Sequence, residues 1–318
     1  MLKLENVSKI YRVGTFGGKE LHAVSKVSFD VLDCEVTALI GESGSGKSTI
    51  GKMILRLISI TSGNIWFNGT NISSYQGAAL KEYYRQVQGV FQDPFCSYNP
   101  IFKADRIFTT IKDEFFPQLS QSEWGDKLYH CLQDVGLNPE HVMNKFPHQL
   151  SGGQLQRFLI ARALLLNIKF LVADEIISML DASTRIDVLN LLAELKTCDL
   201  SILFITHDLS LANYISERAL ILYHGYAVEN GITNSIFNHP VHPYTRMLMD
   251  SVPRLDKHWE KIGVDVERKT RQLEVTKGCV YYDRCPVADI ALGCRDTQPE
   301  PVEVETGHFV ACYRATSG

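Results

Sequence analysis

The sequence predicts an α/β fold organised round a phosphate-binding loop, with an antiparallel β segment at the start, an inserted helical stretch and a small cysteine-rich extension at the end. Three stretches carry that prediction. Gly41-Glu42-Ser43-Gly44-Ser45-Gly46-Lys47-Ser48-Thr49 lies between the strand-like Val36-Thr37-Ala38-Leu39-Ile40 and a helix-like run from Ile50 to Leu55. A glycine-rich turn between strand and helix is the setting that makes G-x-x-x-x-G-K-[ST] a phosphate site. Phe170-Leu171-Val172-Ala173 is wholly apolar and ends in Asp174 and Glu175, as a buried parallel strand does when it delivers acids at its C-terminal end. Ser201-Ile202-Leu203-Phe204-Ile205 is a further buried-strand run, ending in Thr206-His207-Asp208.

Leu2, Leu4 and Val7 interleave with polar residues, and the stretch from Val24 to Val31 does the same. Period-two alternation predicts half-buried strands, here in an antiparallel sheet. Tyr11 lies between them, ahead of a turn with Gly14, Gly17 and Gly18. Its spacing fits equally an aromatic stacked on an adenine and an edge-strand ring packed on its neighbours. In the loop, Gly41, Gly44 and Gly46 let the backbone curl with its N–H groups inward round an anion. The helix that starts near Lys47 adds its positive dipole end. Lys47 can reach the outer phosphates, and the Ser48 hydroxyl is placed to ligand Mg²⁺. Ser62 to Gly69 reads as a short strand between turns, and Val87 to Gln92 as a buried strand that ends in a loop at Pro94. The Gln92 amide oxygen can take Mg²⁺ or water, or merely cap that loop. From Pro100 to about Lys145 the pattern is mainly helical, with loops round Pro117 and Pro139.

Leu150-Ser151-Gly152-Gly153-Gln154-Leu155-Gln156-Arg157 opens another helix. Ser151 is a good N-cap, and the glycines expose N–H groups at the helix start. This second anion site lies too far along the chain for one nucleotide to use both easily. The expectation is therefore that it closes over a nucleotide held by a different subunit. Asp174 can hold Mg²⁺ through water, and Glu175 can orient or deprotonate an attacking water. The turn Ser178-Met179-Leu180-Asp181 precedes a helix from Ser183 to Lys196, with Ile186, Leu189, Leu192 and Leu195 at helical spacing. His207 ends its strand where a γ-phosphate could accept from it. Ala219 to Tyr223 and Tyr226 to Glu229 read as a hairpin joined at Gly225. The character shifts after Asn234, which divides the chain into a nucleotide-binding unit over 1–235, helical at about 95–165, and an extension over 236–318.

Composition narrows the classes. The 318 residues exceed one typical domain, and 45% hydrophobic with 21% charged residues describes an ordinary globular chain. A net charge of −4 without a long Lys/Arg block leaves no footprint for nucleic acid. No apolar run approaches the roughly 18 residues of a membrane span, and the first residues lack a signal peptide's charged and apolar regions. The cytosol is the expected compartment, where the eight cysteines would be mostly reduced or metal-bound.

The phosphate loop, Leu150 to Arg157 and Phe170 to Glu175, standing with Gln92, Asp181 and His207 in that order, resemble the nucleotide-binding subunit of an ABC transporter. The Leu-Ser-Gly-Gly-Gln signature is highly specific to that family. The resemblance implies a P-loop NTPase core of the ABC type, with ATP and Mg²⁺ as cofactors. It makes Tyr11 the adenine-stacking aromatic, Gln92 the Q-loop residue and His207 the switch histidine. Ser48, Gln92 and Asp174 would serve the metal, and Lys47 and Glu175 the reacting phosphate and water. Ser151, Gly152, Gly153 and Gln154 would meet ATP bound mainly by a partner subunit, with Asp181 in the loop that joins the two sites. Phe91-Gln92-Asp93-Pro94 with Asn99-Pro100, His242-Pro243-Tyr244-Thr245-Arg246 and Gly278 to Pro286 are similar to the oligopeptide/dipeptide permease subfamily. That implies one of two different ATPase chains, of F or D type, paired beneath two membrane subunits at the cytoplasmic face of the plasma membrane. An extracytoplasmic binding protein would deliver the cargo: peptides, nickel chelates or oligosaccharides. One departure is Ile176, where many members carry proline. The rival class is a soluble ABC ATPase of repair, translation or cofactor assembly, and a second is a purely regulatory nucleotide-binding module. Against the first stand a single cassette and no sustained heptad run; against the second stand the intact catalytic residues.

Cys279, Cys285, Cys294 and Cys312 are spaced C-x5-C-x8-C-x17-C, unlike the short knuckles of structural zinc. Four thiolates can hold a [4Fe–4S] cluster or zinc. The resemblance favours the cluster. Either would stabilise a tail poor in apolar periodicity.

Overall fold

The computed structural model describes residues 1–13, 18–196, 199–251 and 277–316. Gly14, Gly17 and Cys198 lie outside them.

The alternating start forms β1 (Leu2–Val13) and β2 (Lys19–Val31), paired antiparallel with Leu2 opposite Val31 and Tyr11 opposite Leu21. Val24, Val27, Phe29 and Val31 are buried, while Lys26, Ser28 and Asp30 are exposed. β3 (Val36–Ile40), buried throughout, runs into the phosphate loop and α1 (Lys47–Ile54). β4 (Ser62–Phe67) and β5 (Thr70–Asn71) follow, then α2 (Gly77–Gln86) and β6 (Val87–Val90). The inserted stretch comprises α3 (Arg106–Phe115), α4 (Gln121–Asp134), α5 (Pro139–Val142) and α6 (Gly152–Leu164). Pro139 begins a short helix where a loop was expected. Asn138 caps it by accepting from Glu140 N, and proline suits the first helical position because its missing N–H would have no partner there. Next come β7 (Phe170–Asp174), α7 (Ala182–Lys196), β8 (Ser201–Thr206) and α8 (Leu209–Ile215). The described chain closes with β9 (Arg218–Tyr223), β10 (Tyr226–Ile232), α9 (Thr233–Asn238), α10 (Pro243–Asp250), β11 (Val302–Glu305) and β12 (His308–Val310).

Contacts divide the chain into two compact units: Met1–Val31, Val36–Ser73 and Ile205–Gly318 in one, Leu32–Glu35 and Ser74–Phe204 in the other. In the first, one sheet has the order β2-β1-β4-β5. Beside it, β3 pairs parallel with β9, and β9 turns back into β10 through His224 and Gly225. Both turn residues have positive φ, 44° and 85°, as a two-residue type I′ hairpin requires. The far edge of β10 is taken by β12, with Glu229 opposite Val310, and β12 by β11. The extension thus supplies strands, which its turn-rich sequence did not announce. Glu229 is 1% exposed. Its carboxylate accepts from Val241 N at 3.0 Å and His242 N at 2.9 Å, and meets His308 Nε2 at 2.8 Å. A buried acid is tolerable only with such partners. Tyr244 and Tyr281 of the extension join Ala38, Ile40 and Tyr223 in one apolar cluster.

In the second unit β6 pairs parallel with β7, Val90 opposite Ala173, and β8 lies next to β7. Leu155, Phe158 and Leu159 of α6 are buried, with the Phe158 ring 5.2 Å from that of Phe108. Helix α7 departs from expectation. Its buried face is Val188, Leu189, Leu191 and Leu192, while Ile186 is 46% exposed. Leu189 and Leu192 of the expected stripe are buried, and the face is turned to take in Val188 and Leu191 in place of Ile186.

Candidate functional site

The phosphate loop sits where backbone meets backbone. A Cβ on Gly41 would stand 2.2 Å from Leu222 O, and one on Gly46 2.4 Å from Ala23 O. Gly44 and Gly46 have φ of 79° and 104°, the left-handed region that glycine enters without strain. Gly46 caps α1 without a side-chain bond, and a helix start is a favourable place for an anion. Lys47 is 5% exposed, and its Nζ donates to Gly41 O at 2.8 Å and Glu42 O at 2.9 Å. Ser45 N donates to Glu42 O, and Ser45 O accepts from Gly225 N at 2.8 Å.

Glu42 is tied from the extension. Its N–H donates to the Tyr244 hydroxyl at 3.0 Å, and its carboxylate takes both ends of the Arg284 guanidinium, at 2.9 and 3.3 Å. Burial pushes the Tyr244 phenol well above its ordinary value. The Glu42 carboxylate raises the Arg284 guanidinium above its ordinary value. Sequence reading named Glu42 only as a member of the loop and gave Tyr244 and Arg284 no role. No local spacing signals a contact across 242 positions.

Tyr11 and His207 belong to this same unit. Tyr11 is half-buried on β1, with Lys9 Nζ 5.0 Å from its ring centre. His207 is exposed just past β8, before Asp208, which caps α8 by accepting from Ser210 N and Leu211 N.

The second unit holds the signature and the carboxylates. Ser151 Oγ accepts from Gln154 N at 3.2 Å while Gln154 Oε1 accepts from Ser151 N at 2.9 Å, a capping box that fixes the start of α6. A Cβ on Gly153 would meet Thr184 Cγ2 at 2.7 Å. Thr184 is held in turn by Asp181, which accepts from its N–H at 3.0 Å and its hydroxyl at 2.8 Å. The structure so brings the signature and Asp181 together. The Ser183 hydroxyl, then Thr184, hold the Asp181 carboxyl well below the usual carboxylate range.

Asp174 is the last residue of β7 and 6% exposed. Glu175 follows with a φ of 50° and is half-buried. The turn stands without proline at 176. Glu175 O accepts from Ser178 N at 3.1 Å and Ser178 Oγ at 2.8 Å, and Ile176 and Ile177 are buried beneath it. Gln92 is exposed, two residues past β6. The neighbouring Asp93 accepts from Phe95 N and from Cys96 Sγ, each at 2.8 Å.

In the extension, Cys279, Cys285, Cys294 and Cys312 line one pocket, with His242 and Tyr281 on its wall. Burial first, and the other three sulfurs after it, push the Cys279 thiol up to about 11. Among the described residues, no group of three or more Cys, His, Asp or Glu side chains is placed to hold a metal ion. Nor is any helix of the described residues long and apolar enough to cross a membrane.

Residues 24–178 match the family described as ABC transporter, and residues 228–294 the one described as oligopeptide/dipeptide transporter, C-terminal region. An oligopeptide transport ATP-binding protein of Bacillus subtilis, AppF, is 39% identical over 98% of this chain and 97% of its own. A putative peptide import ATP-binding protein of Brucella abortus is 42% identical over 92% of this chain and 86% of its own. Among solved structures, the dimeric ATP-binding cassette MJ0796 bound to ADP and Pi in a post-hydrolysis state is similar. It has a TM-score of 0.66 and 29% identity, and the likeness covers 73% of this chain and 99% of that one.

Proposed function

This chain belongs to the ATP-binding subunits of ABC transporters, in the oligopeptide and peptide import branch, and from that premise we propose that it hydrolyses ATP to drive peptide uptake through a multi-subunit permease. The observation that carries the reading is one chain with two anion-facing turns. One is a braced phosphate loop, and the other is a capped signature helix whose Ser151 is exposed. The signature would serve a nucleotide held by a second, homologous ATPase chain. That the similar cassette MJ0796 is dimeric supports a paired assembly. Two membrane subunits, an extracytoplasmic binding protein and a peripheral place on the cytoplasmic face of the membrane complete the proposal. Relatives named for oligopeptide transport and peptide import oppose the soluble rival. Residues 1–235 would form the nucleotide-binding unit and 236–318 its extension.

The chemistry proposed is positioning and charge neutralisation. Tyr11 takes the adenine, and Gly41 to Thr49 cradle the phosphates. Lys47 swings from its own loop's carbonyls to the outer phosphates. Ser48, Gln92 and Asp174 would hold Mg²⁺, which supplies charge neutralisation between the phosphates. Glu175 orients and deprotonates the attacking water, and His207 donates to the γ-phosphate.

For the cysteine pocket we propose a [4Fe–4S] cluster, with zinc as the alternative. The four cysteines line one pocket, and four thiolates are the ligand set a cluster takes. When bound, the group would supply a cross-link among the segments carrying these cysteines. Anaerobically purified protein should be brown and contain about four irons per chain; a colourless, iron-free preparation would eliminate it.

The transport reading is tested with the assembled complex in vesicles. ATPase activity should rise when binding protein loaded with peptide is added. No response to peptide, with a response to an oligosaccharide or a nickel chelate, would overturn the peptide assignment.

A further inference from the structure

The sequence places a carboxylate, Glu42, inside a loop built to hold a triphosphate. An unpaired acid there would repel the ligand. Glu42 is instead fully committed. Its N–H goes to Tyr244, its carbonyl accepts from Lys47 and Ser45, and its carboxylate is gripped at two points by Arg284. Arg284 is itself aimed. It reaches the Tyr223 hydroxyl at 3.5 Å and Met247 Sδ at 3.6 Å, and lies 5.8 and 5.9 Å from the ring centres of Tyr223 and Tyr281. A two-point guanidinium–carboxylate pair fixes direction as well as charge. The rings that orient it belong to the same apolar cluster as Ala38 and Ile40 of β3, the strand that feeds the loop.

We propose that Arg284 is a positioning residue for ATP: from the cysteine-rich extension it neutralises Glu42 and locks the second residue of the phosphate loop, so the extension is part of the nucleotide site. Glu42 N–H is spent on Tyr244, so both the backbone and the side chain of this residue are held from the extension. The inference rests on the ATP-binding role and not on the cargo. Failure of peptide stimulation with normal nucleotide binding would count against the transport reading and leave this one standing.

The experiment measures ATP binding to the full chain and steady-state ATPase of the assembled complex. Arg284→Ala should weaken ATP binding by roughly 5–20-fold at low salt, with KM rising in step and kcat within about twofold, because the lost interaction is made equally before and during reaction. The penalty should shrink as salt rises, since part of it is repulsion from the freed carboxylate. Adding Glu42→Gln to Arg284→Ala should recover about half of the loss or more, whereas Arg284→Lys, which keeps the charge but not the two-point fork, should recover only the salt-sensitive part. The control is Arg314→Ala, in the same extension, where Arg314 bonds Val287 O and Asp289 instead of the loop; it should leave ATP binding within about twofold. Should Arg284→Ala fail to fold, Arg284→Gln keeps the bulk, removes the charge and takes its place with the same expectations. Unchanged ATP binding in the Arg284 variants overturns the proposal. So does a loss that neither Glu42→Gln nor salt relieves and that Arg314→Ala reproduces.

Discussion

The phosphate loop takes its shape from residues as far as 242 positions away, whereas the signature helix is fixed within three residues of its own start. Both stand at the start of a helix. In the first, β9, the hairpin turn after it and the extension press on Gly41, Ser45 and Glu42. In the second, Ser151 and Gln154 bond each other, and the adjoining contact is Thr184 beside Gly153. The contrast teaches where each can fail. A loop held by distant contacts is sensitive to changes throughout its unit. A locally capped helix start is sensitive to little beyond its own residues.

The largest expected effect concerns chemistry that neither turn supplies. Glu175→Gln should leave ATP binding near wild type and lower turnover by about 10²–10⁴-fold, the range for a lost general base. Wild-type turnover in a single-turnover assay would remove Glu175 from that role and shift the burden to the two turns.

Next is a pair of substitutions within the loop. Gly41→Ala drives a Cβ into Leu222 O. It should cost about 1–3 kcal/mol in chemical denaturation and lower ATP affinity more than about tenfold. Gly44→Ala meets nothing within 4 Å, so only left-handed strain remains, about 1–2 kcal/mol, with less loss of affinity. Equal losses of ATP affinity would break the claim that close approach by β9 shapes the loop.

Ser151→Ala should cost about 1 kcal/mol, read as faster hydrogen exchange in the first turn of α6. ATP binding to the isolated chain should not change if, as proposed, the signature serves a partner's nucleotide. Weaker binding there would erase the independence of the two turns.

The smallest effect follows pH. The Asp181 carboxyl is depressed from 3.8 by hydrogen bonds that its charged form accepts. Its support for the start of α7 is therefore complete above that pH and is lost as pH falls below it. Asp181→Asn should flatten the acid limb of an unfolding curve followed by circular dichroism. An unaltered limb would separate Asp181 from the stability of that turn.

Much of this was legible in order along the chain. Alternation gave β1 and β2, and apolar runs gave β7 and β8 with Asp174, Glu175 and His207 at or just past their ends. The hydroxyl of Ser151 declared the start of α6. These are short-range matters: a pleat repeats every two residues and a cap reaches three, so the residues involved are neighbours in sequence. Other features were hidden. In helix α7 the spacing pointed to Leu189 and Leu192, and only the burial of Val188 and Leu191, with Ile186 exposed, shows how the inward face is turned. The turn after Glu175 carries Ile176 where many members have proline, and what holds it, buried side chains and Ser178, shows only in the fold.

By itself the sequence determined which residues can bind phosphate, cap a helix or end a strand in an acid, because those capacities belong to side chains and to spacings of a few residues. Tertiary structure alone decided that β12 completes the edge of β10, that four cysteines share one pocket, and that Arg284 grips Glu42. Such pairings depend on chain segments brought together by burying Tyr223, Tyr244 and Tyr281 in one cluster, and no local pattern specifies which distant partner a charged side chain will meet.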